Sequence, residues 1–212
     1  MTDISVIIPA YREEKIIGAV VEKVRQVLEK TGQSYEIIVV NDGSDDATAR
    51  EAEKAGAHVI SHPYNIGNGA AIKSGIRHAQ GKIFVMMDGD GQHNPDDIPR
   101  LIEAAKTYDM AVGARTRNSK ATFQRKLANS FYNGIASYVC ARKIQDLTSG
   151  FRVIKGNIAR EMLPLLPNTF SYPTTITLAV VRSGYSLTYV PIQTSWRTGK
   201  SKIRPLTDGS RF

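Results

Sequence analysis

The chain has a single cysteine, Cys140, in 212 residues. One thiol cannot close an internal disulfide, so no disulfide framework holds this fold and a reducing compartment is expected. Cys140 reads as a small buried apolar residue. Long apolar runs are also missing, and no stretch approaches the ~20 residues needed to span a bilayer as a helix. Met1-Thr2-Asp3 leads directly into a short apolar run, with no basic segment before a long apolar one, so no signal peptide is expected. The four histidines (His58, His62, His78 and His93) lack metal-site spacing as a group. Repeats, low-complexity linkers and domain boundaries are absent, so a single domain over residues 1–212 is expected. Acidic residues are in deficit: 20 Asp and Glu stand against 28 Lys and Arg, a net charge of +8 and a pI near 9.6. That imbalance calls for an anionic partner, whether nucleic acid, an anionic membrane surface or a phosphorylated substrate.

What is present is an ordinary globular composition, 42% hydrophobic and 23% charged, enough for a substantial core. Short apolar runs alternate with amphipathic stretches. Ile4 to Ile8 reads as a strand ended by Pro9. Ile16, Ile17, Val20, Val21, Val24, Val27 and Leu28 then recur at helical spacing, and Thr31-Gly32 stops that helix. Glu36-Ile37-Ile38-Val39-Val40 does not alternate, which predicts a strand buried on both faces. A helix over about Asp46–Ala55, a short strand at His58–Ile60 and a helix over Gly67–Ala79 follow. Ile83 to Met87 is the next strand. Asn94-Pro95-Asp96-Asp97 opens a helix, with proline near its start and acids in the first turn. Met110 to Gly113 is a further strand. The alternation predicts an α/β fold, a mostly parallel central sheet with helices on both faces. Ligands of such sheets bind beyond the carboxyl ends of the strands.

The second half reads less clearly. Thr116 to Arg125 is a basic loop, and Phe123 to Ala141 is expected as a helix. Asp146 to Arg152 reads as a turn, Thr174 to Arg182 as a helix and Leu187 to Ile192 as a strand. Trp196 to Arg204 reads as a mobile basic tail. The ending at Asp208-Gly209-Ser210-Arg211-Phe212 leads us to expect further residues in a longer parent.

The chemistry concentrates at Asp88-Gly89-Asp90-Gly91-Gln92-His93, directly after the apolar run Ile83-Phe84-Val85-Met86-Met87. A strand ending in two carboxylates spaced i, i+2 delivers oxygen ligands to a sheet edge. There they suit a hard divalent cation such as Mg²⁺ or Mn²⁺, which completes its shell with phosphate oxygens. A polar turn closing a buried strand is written with the same residues.

Further motifs fall in order along the chain. Pro9-Ala10-Tyr11-Arg12-Glu13-Glu14 follows the first strand, Asn41-Asp42-Gly43-Ser44-Asp45-Asp46 the second, and Asn65-Ile66-Gly67-Asn68-Gly69 opens a helix. With the aspartate motif, Asp146-Leu147-Thr148-Ser149-Gly150-Phe151-Arg152 and Arg197-Thr198-Gly199-Lys200-Ser201-Lys202, the chain resembles family 2 glycosyltransferases of the A fold. The last two motifs look like the polyprenyl-phosphate branch, the group of dolichol-phosphate mannose synthase.

The resemblance implies a Rossmann-like glycosyltransferase A fold. It implies an inverting, metal-dependent transfer of a sugar from a nucleotide-sugar (GDP-mannose or a UDP-hexose) to a dolichyl or undecaprenyl phosphate. Pro9, Tyr11, Glu13 and Asp42 match positions that hold the nucleotide. Asp88, Asp90 and Gln92 match the metal and diphosphate motif, with Asp88 alternatively on the ribose. Arg197, Lys200 and Lys202 match a loop that closes on the nucleotide phosphates. Gly89 stands where alanine is frequent, and Arg12 where asparagine is frequent, which leaves the role of position 12 open. In that branch an interfacial helix and transmembrane helices commonly follow, so peripheral contact with an anionic membrane surface at its cytoplasmic face is expected. The oligomeric state is not legible.

Two anionic substrates repel, so cations must position them. Arg115, Arg117, Arg125 and Arg152 are candidates because arginine grips phosphate through a planar fork. Arg115 and Arg125 are expected at the acceptor phosphate, and Asp90, Arg125 and Arg152 in the catalytic set. Arg117 and Lys120 read better as a solvated basic face. A lipid phosphate is already ionised and needs no general base. A hydroxyl acceptor on a soluble glycan would need one, and Asp146 is the residue that could be nominated. A nucleic-acid module would show basic residues interleaved with exposed aromatics. Instead acids cluster at strand ends, so no nucleic-acid partner is expected. A catalytically silent nucleotide-sugar sensor keeps the same fold and would lack metal-dependent turnover.

Overall fold

The computed structural model describes residues 2–116 and 132–195. Seven strands form one sheet: β1 (Ile4–Ala10), β2 (Tyr35–Asn41), β3 (His58–Ser61), β4 (Ile83–Met86), β5 (Met110–Arg115), β6 (Arg152–Lys155) and β7 (Leu187–Ile192), in the order β3-β2-β1-β4-β6-β5-β7. Helices α1 (Ile17–Glu29), α2 (Thr48–Lys54), α3 (Asn68–His78), α4 (Ile98–Thr107), α5 (132–139), α6 (Gly156–Met162) and α7 (Tyr172–Arg182) cover it. The expected α/β architecture with a mostly parallel sheet is what forms.

Every residue of β1 is buried. Its neighbours β2 and β4 both run parallel to it. Successive side chains point to opposite faces. Ile4, Val6 and Ile8 join the helix α1 and α4 core, whereas Ile7 joins the core under α3, α6 and α7. That division explains why the strand sequences read as continuous apolar runs. In α1 the predicted stripe is realised, with Ile17, Val20, Val21, Val24, Val27 and Leu28 buried. A short 3-10 turn, Pro95–Asp97, precedes α4, and the Asn94 side chain caps it by accepting from Asp96 N at 3.1 Å.

One strand was not legible. Residues 146–152 were expected as a turn, yet Arg152–Lys155 forms β6, antiparallel to both β4 and β5. Its four residues are too few to show a period, and tertiary pairing on both sides makes the strand. The expected helix over Phe123–Ala141 lies partly outside the described residues, as does the basic tail from Trp196.

Helix α3 lies so close to β1 that Gly75 has no room for a side chain. A Cβ there would sit 2.3 Å from Ile7 Cγ2. Alanine gains about 1 kcal/mol over glycine within a helix, but overpacking a filled core costs about 1–3 kcal/mol. Ile7 is β-branched and fully buried, so it has little freedom to yield. We therefore expect Gly75→Ala to lower the unfolding free energy by about 1–2 kcal/mol in urea titration, where an isolated helix would be stabilised.

Candidate active site

The strand order places a switch point between β1 and β4. After β1 the chain moves outward through β2 and β3, then returns to β4 on β1's other flank. Loops leaving β1 and β4 diverge there and open a crevice. Asp88, Asp90 and Gln92 stand on one side of it, after β4, and Tyr11 and Glu13 on the other, after β1. Pro9 is buried within β1 itself, one residue before its end.

The aspartate loop is tightly built. A Cβ at Gly89 would meet Pro9 O at 3.1 Å and Ile17 Cδ1 at 3.2 Å, so only glycine lets the loop lie against β1. Asp90 is buried and its Oδ1 accepts from Gln92 N at 3.0 Å. The Asp88 side chain is 34% exposed and faces the crevice rim. A Cβ at Gly150 would fall 2.8 Å from Asp88 Oδ2, so glycine lets that carboxylate lie against the backbone at position 150. His93 is buried, stacks at 5.1 Å on Phe151, and its Nδ1 accepts from Asp88 N at 3.3 Å. The residues after β7 strap the loop: Ser195 N donates to Gln92 O at 3.0 Å, Gln92 Nε2 donates to Ser195 O at 3.4 Å, and His93 bridges Thr194. A hollow of about 430 Å³ lies under the strap, lined by Gly91, His93, Asn94 and Thr194 among others.

Among the described residues no three His, Cys, Asp or Glu side chains gather as a metal cluster. Asp88 and Asp90 supply two carboxylates from one loop after β4. The donor set is all oxygen, and the Asp88 side chain is partly exposed. Both fit a hard cation that takes its remaining ligands from diphosphate and water.

Asp42 departs from its expected role. Its carboxylate is buried and committed to the protein: Ile66 N donates to Oδ1 at 3.0 Å, Gly67 N to Oδ2 at 2.8 Å, and His62 Nδ1 to Oδ1 at 2.7 Å. The other ring nitrogen of His62 meets Ser74 Oγ of α3 at 2.8 Å. Asp42 therefore organises the 64–67 loop and does not present a free carboxylate to a nucleotide. His62 was read only as one of four scattered histidines. It is a keystone of this loop, and no sequence period marked it.

Arg12 takes a left-handed backbone, φ 53°, and its guanidinium pairs with Asp45 through two bonds of 2.7 Å. It also lies 5.2 Å from the centroid of the Tyr11 ring. This cation ties the β1 loop to the β2 loop, as do Arg12 N to Ser44 Oγ at 2.9 Å and Glu13 N to Thr48 Oγ1 at 2.8 Å.

Arg115, at the end of β5, grips Asp146 with Nε to Oδ2 at 2.8 Å and Nη2 to Oδ1 at 2.7 Å, and reaches Thr148 Oγ1 at 2.6 Å. Its side chain is 32% exposed against 7% for Asp146. Burial alone would raise the Asp146 carboxyl, but the bonds and charge of Arg115 outweigh it and hold that pKa below the ordinary value. Asp146 is therefore a poor general base, and the fork of Arg115 is largely engaged within the protein.

Arg152 also corrects the sequence reading. It is fully buried, with no surface to meet a substrate. Nη1 donates to Pro173 O at 3.0 Å and Thr177 Oγ1 at 3.2 Å, and Nη2 donates to Ser149 O. Burial pulls the guanidinium pKa down, although arginine stays charged at neutral pH. Arg152 thus pins β6 to the first turns of α7 and is no direct phosphate ligand. Arg117, Lys120, Arg125, Arg197, Lys200 and Lys202 lie outside the described residues.

The sequence model described as Glycosyl transferase family 2 matches residues 5–163. The chain is 32% identical over 183 residues to an undecaprenyl-phosphate 4-deoxy-4-formamido-L-arabinose transferase of Proteus mirabilis (strain HI4320), covering 79% of this chain and 56% of that protein. It is 31% identical over 202 residues to an uncharacterised protein of Methanocaldococcus jannaschii, covering 91% and 81%. Among solved structures, glucosyl-3-phosphoglycerate synthase from Mycobacterium tuberculosis, in complex with Mn²⁺, uridine diphosphate and phosphoglyceric acid, has a TM-score of 0.75 at 18% identity. That match covers 94% of this chain and 72% of that one, and it bears on the fold. The chain spans about half the length, 56%, of the arabinose transferase it matches.

The Arg115–Asp146 pair yields a stability test. Asp146→Asn keeps the shape but removes the charge that neutralises Arg115. We expect a loss of about 3 kcal/mol, the lower end for breaking a buried pair, in urea unfolding at neutral pH. The Asp146 pKa is depressed in the folded state. Its contribution is therefore complete above the unfolded carboxyl pKa, ~3.9, and is lost as pH falls through the lower folded value. The difference between parent and variant should shrink over that acid range.

Proposed function

Since the chain belongs to glycosyl transferase family 2, we propose that it transfers a sugar from a nucleotide-sugar to a polyprenyl phosphate, with inversion and with Mg²⁺ or Mn²⁺ as cofactor. The observation that carries this reading is the pair of carboxylates, Asp88 and Asp90, on the loop after β4 at the β1–β4 switch point, with Tyr11 and Glu13 on the loop after β1. When bound, the divalent cation supplies Lewis-acid neutralisation of the charge that develops on the leaving diphosphate.

The protein's own groups do the rest. Tyr11 and Glu13 bind base and ribose, for which an aromatic face and a carboxylate acceptor are suited. Asp42 and His62 fix the 64–67 loop beside them. Asp88 and Asp90 are the residues that would hold the divalent cation at the diphosphate end, and Gln92 is fixed against Ser195. One oxygen of the acceptor phosphate attacks the anomeric carbon as the bond to the nucleoside diphosphate breaks. No proton has to be removed, because that phosphate is already ionised. The engagement of Asp146 by Arg115 supports this over a hydroxyl acceptor, since the carboxylate nominated as base is held ionised and paired. Arg115, paired with Asp146, positions the 146–148 segment at the acceptor side, and Arg125, Arg197, Lys200 and Lys202 keep the phosphate-binding roles that the family resemblance implies. Among the described residues no helix is long and apolar enough to cross a membrane. Reaction at the cytoplasmic face of a membrane, by peripheral contact, is part of the proposal.

The experiment is a thermal-shift panel of UDP and GDP with and without Mn²⁺, followed by transfer assays with the matching nucleotide-sugar. A ligand that binds only the native state adds about 2.7 kcal/mol at a hundredfold excess over Kd. We expect one nucleotide to raise the midpoint only with metal. Asp90→Asn keeps an acceptor for Gln92 N while removing the charge. It should abolish the metal-dependent shift and lower turnover by about a thousandfold, with the melting of the free protein unchanged. A variant that keeps full activity sinks the metal assignment.

A further inference from the structure

Helix α5 presents two unlike faces. Tyr132, Ala136 and Cys140 pack inward on the core below α7. Ile135, Tyr138 and Val139 point outward, 48%, 89% and 49% exposed. Their i, i+3, i+4 spacing puts them on one side of the helix. Scattered exposed apolar residues need no explanation, but three on one turn form a patch that does. From Tyr132 through Lys143 the sequence has no acidic residue, and the exposed Arg142 and Lys143 close the helix. Arg142 keeps one bond inward, from Nη2 to Leu187 O at 2.7 Å, which holds its charge at this edge. Arg182 lies nearby, its charge acting on Cys140.

The patch is rigidly joined to the proposed acceptor end of the site. Asn133 Nδ2 donates to Gln145 O at 2.8 Å, and Leu147 N donates to Asn133 Oδ1 at 3.0 Å. Ile144 N donates to Ser137 Oγ at 2.9 Å. The residue between these anchors is Asp146, which carries Arg115. One side of α5 thus clamps the Arg115–Asp146 unit, and the other side is apolar with a basic end.

We infer that the outer face of α5 docks on an anionic bilayer surface, with Ile135, Tyr138 and Val139 entering the headgroup–acyl boundary and Arg142 and Lys143 meeting anionic headgroups. The inference rests on the proposed lipid-phosphate acceptor, which must be taken from a bilayer. A tyrosine flanked by aliphatic side chains suits that boundary, and clustered cations strengthen attachment to it. A second copy of the chain fits less well. Burying these three side chains removes a few hundred Å² at most, short of the ~800 Å² per partner of a stable interface.

The test is flotation of the full chain with phosphatidylcholine vesicles containing phosphatidylglycerol, against pure phosphatidylcholine. We expect salt-sensitive binding to the anionic vesicles, weakened about tenfold or more in the combined Ile135→Ser, Tyr138→Ser, Val139→Ser variant. These side chains face solvent, so the variant should melt as the parent does. In a second measurement, Tyr138→Trp in a Trp196→Phe background should shift its emission to the blue on anionic vesicles and be quenched by brominated lipid. The inference is overturned if the parent does not float, if the triple variant floats like the parent, or if the introduced indole is not quenched while the protein is bound. It is also overturned if the parent dimerises in solution and the triple variant does not, which would make the face a contact between copies. Transfer to a short-chain prenyl phosphate soluble in water reads the proposed activity without any membrane, so failure of one reading is distinguished from failure of the other.

Discussion

The site depends on one constraint: β1 must pair in parallel with β2 on one edge and with β4 on the other. Parallel pairing forbids a tight turn and requires a crossover through a helix. α1 leaves β1 on one face of the sheet, and α3 approaches β4 on the opposite face, as their membership of the two separate cores records. Chain segments leaving β1 and β4 are therefore drawn to different places, and a crevice opens between them without any residue being chosen to make it. The fully buried β1 makes this arrangement costly to alter, since each large apolar side chain it buries contributes about 1.5–3 kcal/mol.

Onto that crevice the sequence places an excess of carboxylates, and the structure sorts them by what already holds them. Asp42 satisfies two backbone N–H groups and His62. Asp45 is held by Arg12, and Asp146 by Arg115. Each of these shapes a loop; for the buried Asp42 and Asp146 the pairing is required, because a buried charge is tolerated only when paired or hydrogen-bonded, whereas the Arg12–Asp45 pair is exposed. Asp88 has no such committed cation in hydrogen-bond contact among the described residues. Its carboxylate lies against Gly150 and stays partly exposed. The same sorting separates binding groups from scaffolding groups that share one motif.

This sorting explains what was legible in the sequence. The fold was, because β1, β2 and α1 carry their apolar residues at the spacing their burial demands. The aspartate loop was also legible, because Asp88 and Asp90 sit where an apolar run stops. The assignments of Asp42 and Arg152 failed for one reason. A polar side chain in a motif looks the same whether it faces a ligand or a carbonyl, and the partners of both residues are distant in sequence: Ile66 and Gly67 for the first, Pro173 and Thr177 for the second. His62 was missed on the same ground, since Ser74 and Asp42 lie 12 and 20 positions away. β6 escaped because four residues cannot display a period.

The reversed strand is also what lets the second half of the chain enter the site. A parallel strand between β4 and β5 would present its carboxyl end to the crevice. β6 runs the other way, so its first residue, Arg152, lies beside Met86 and Val112 near the ends of its neighbours. The segment before it, 146–151, is thereby delivered to the crevice rim. Asp146 reaches Arg115, Gly150 lies against Asp88, and Phe151 packs on His93. Arg152 fixes the hand-over from below by bonding Ser149 O in that segment and Pro173 O in α7. A buried guanidinium is expensive, yet at this corner it is bonded to carbonyls from two elements, Ser149 O before β6 and Pro173 O in α7. The cation that looked like a substrate ligand instead locks the strand reversal that assembles the site.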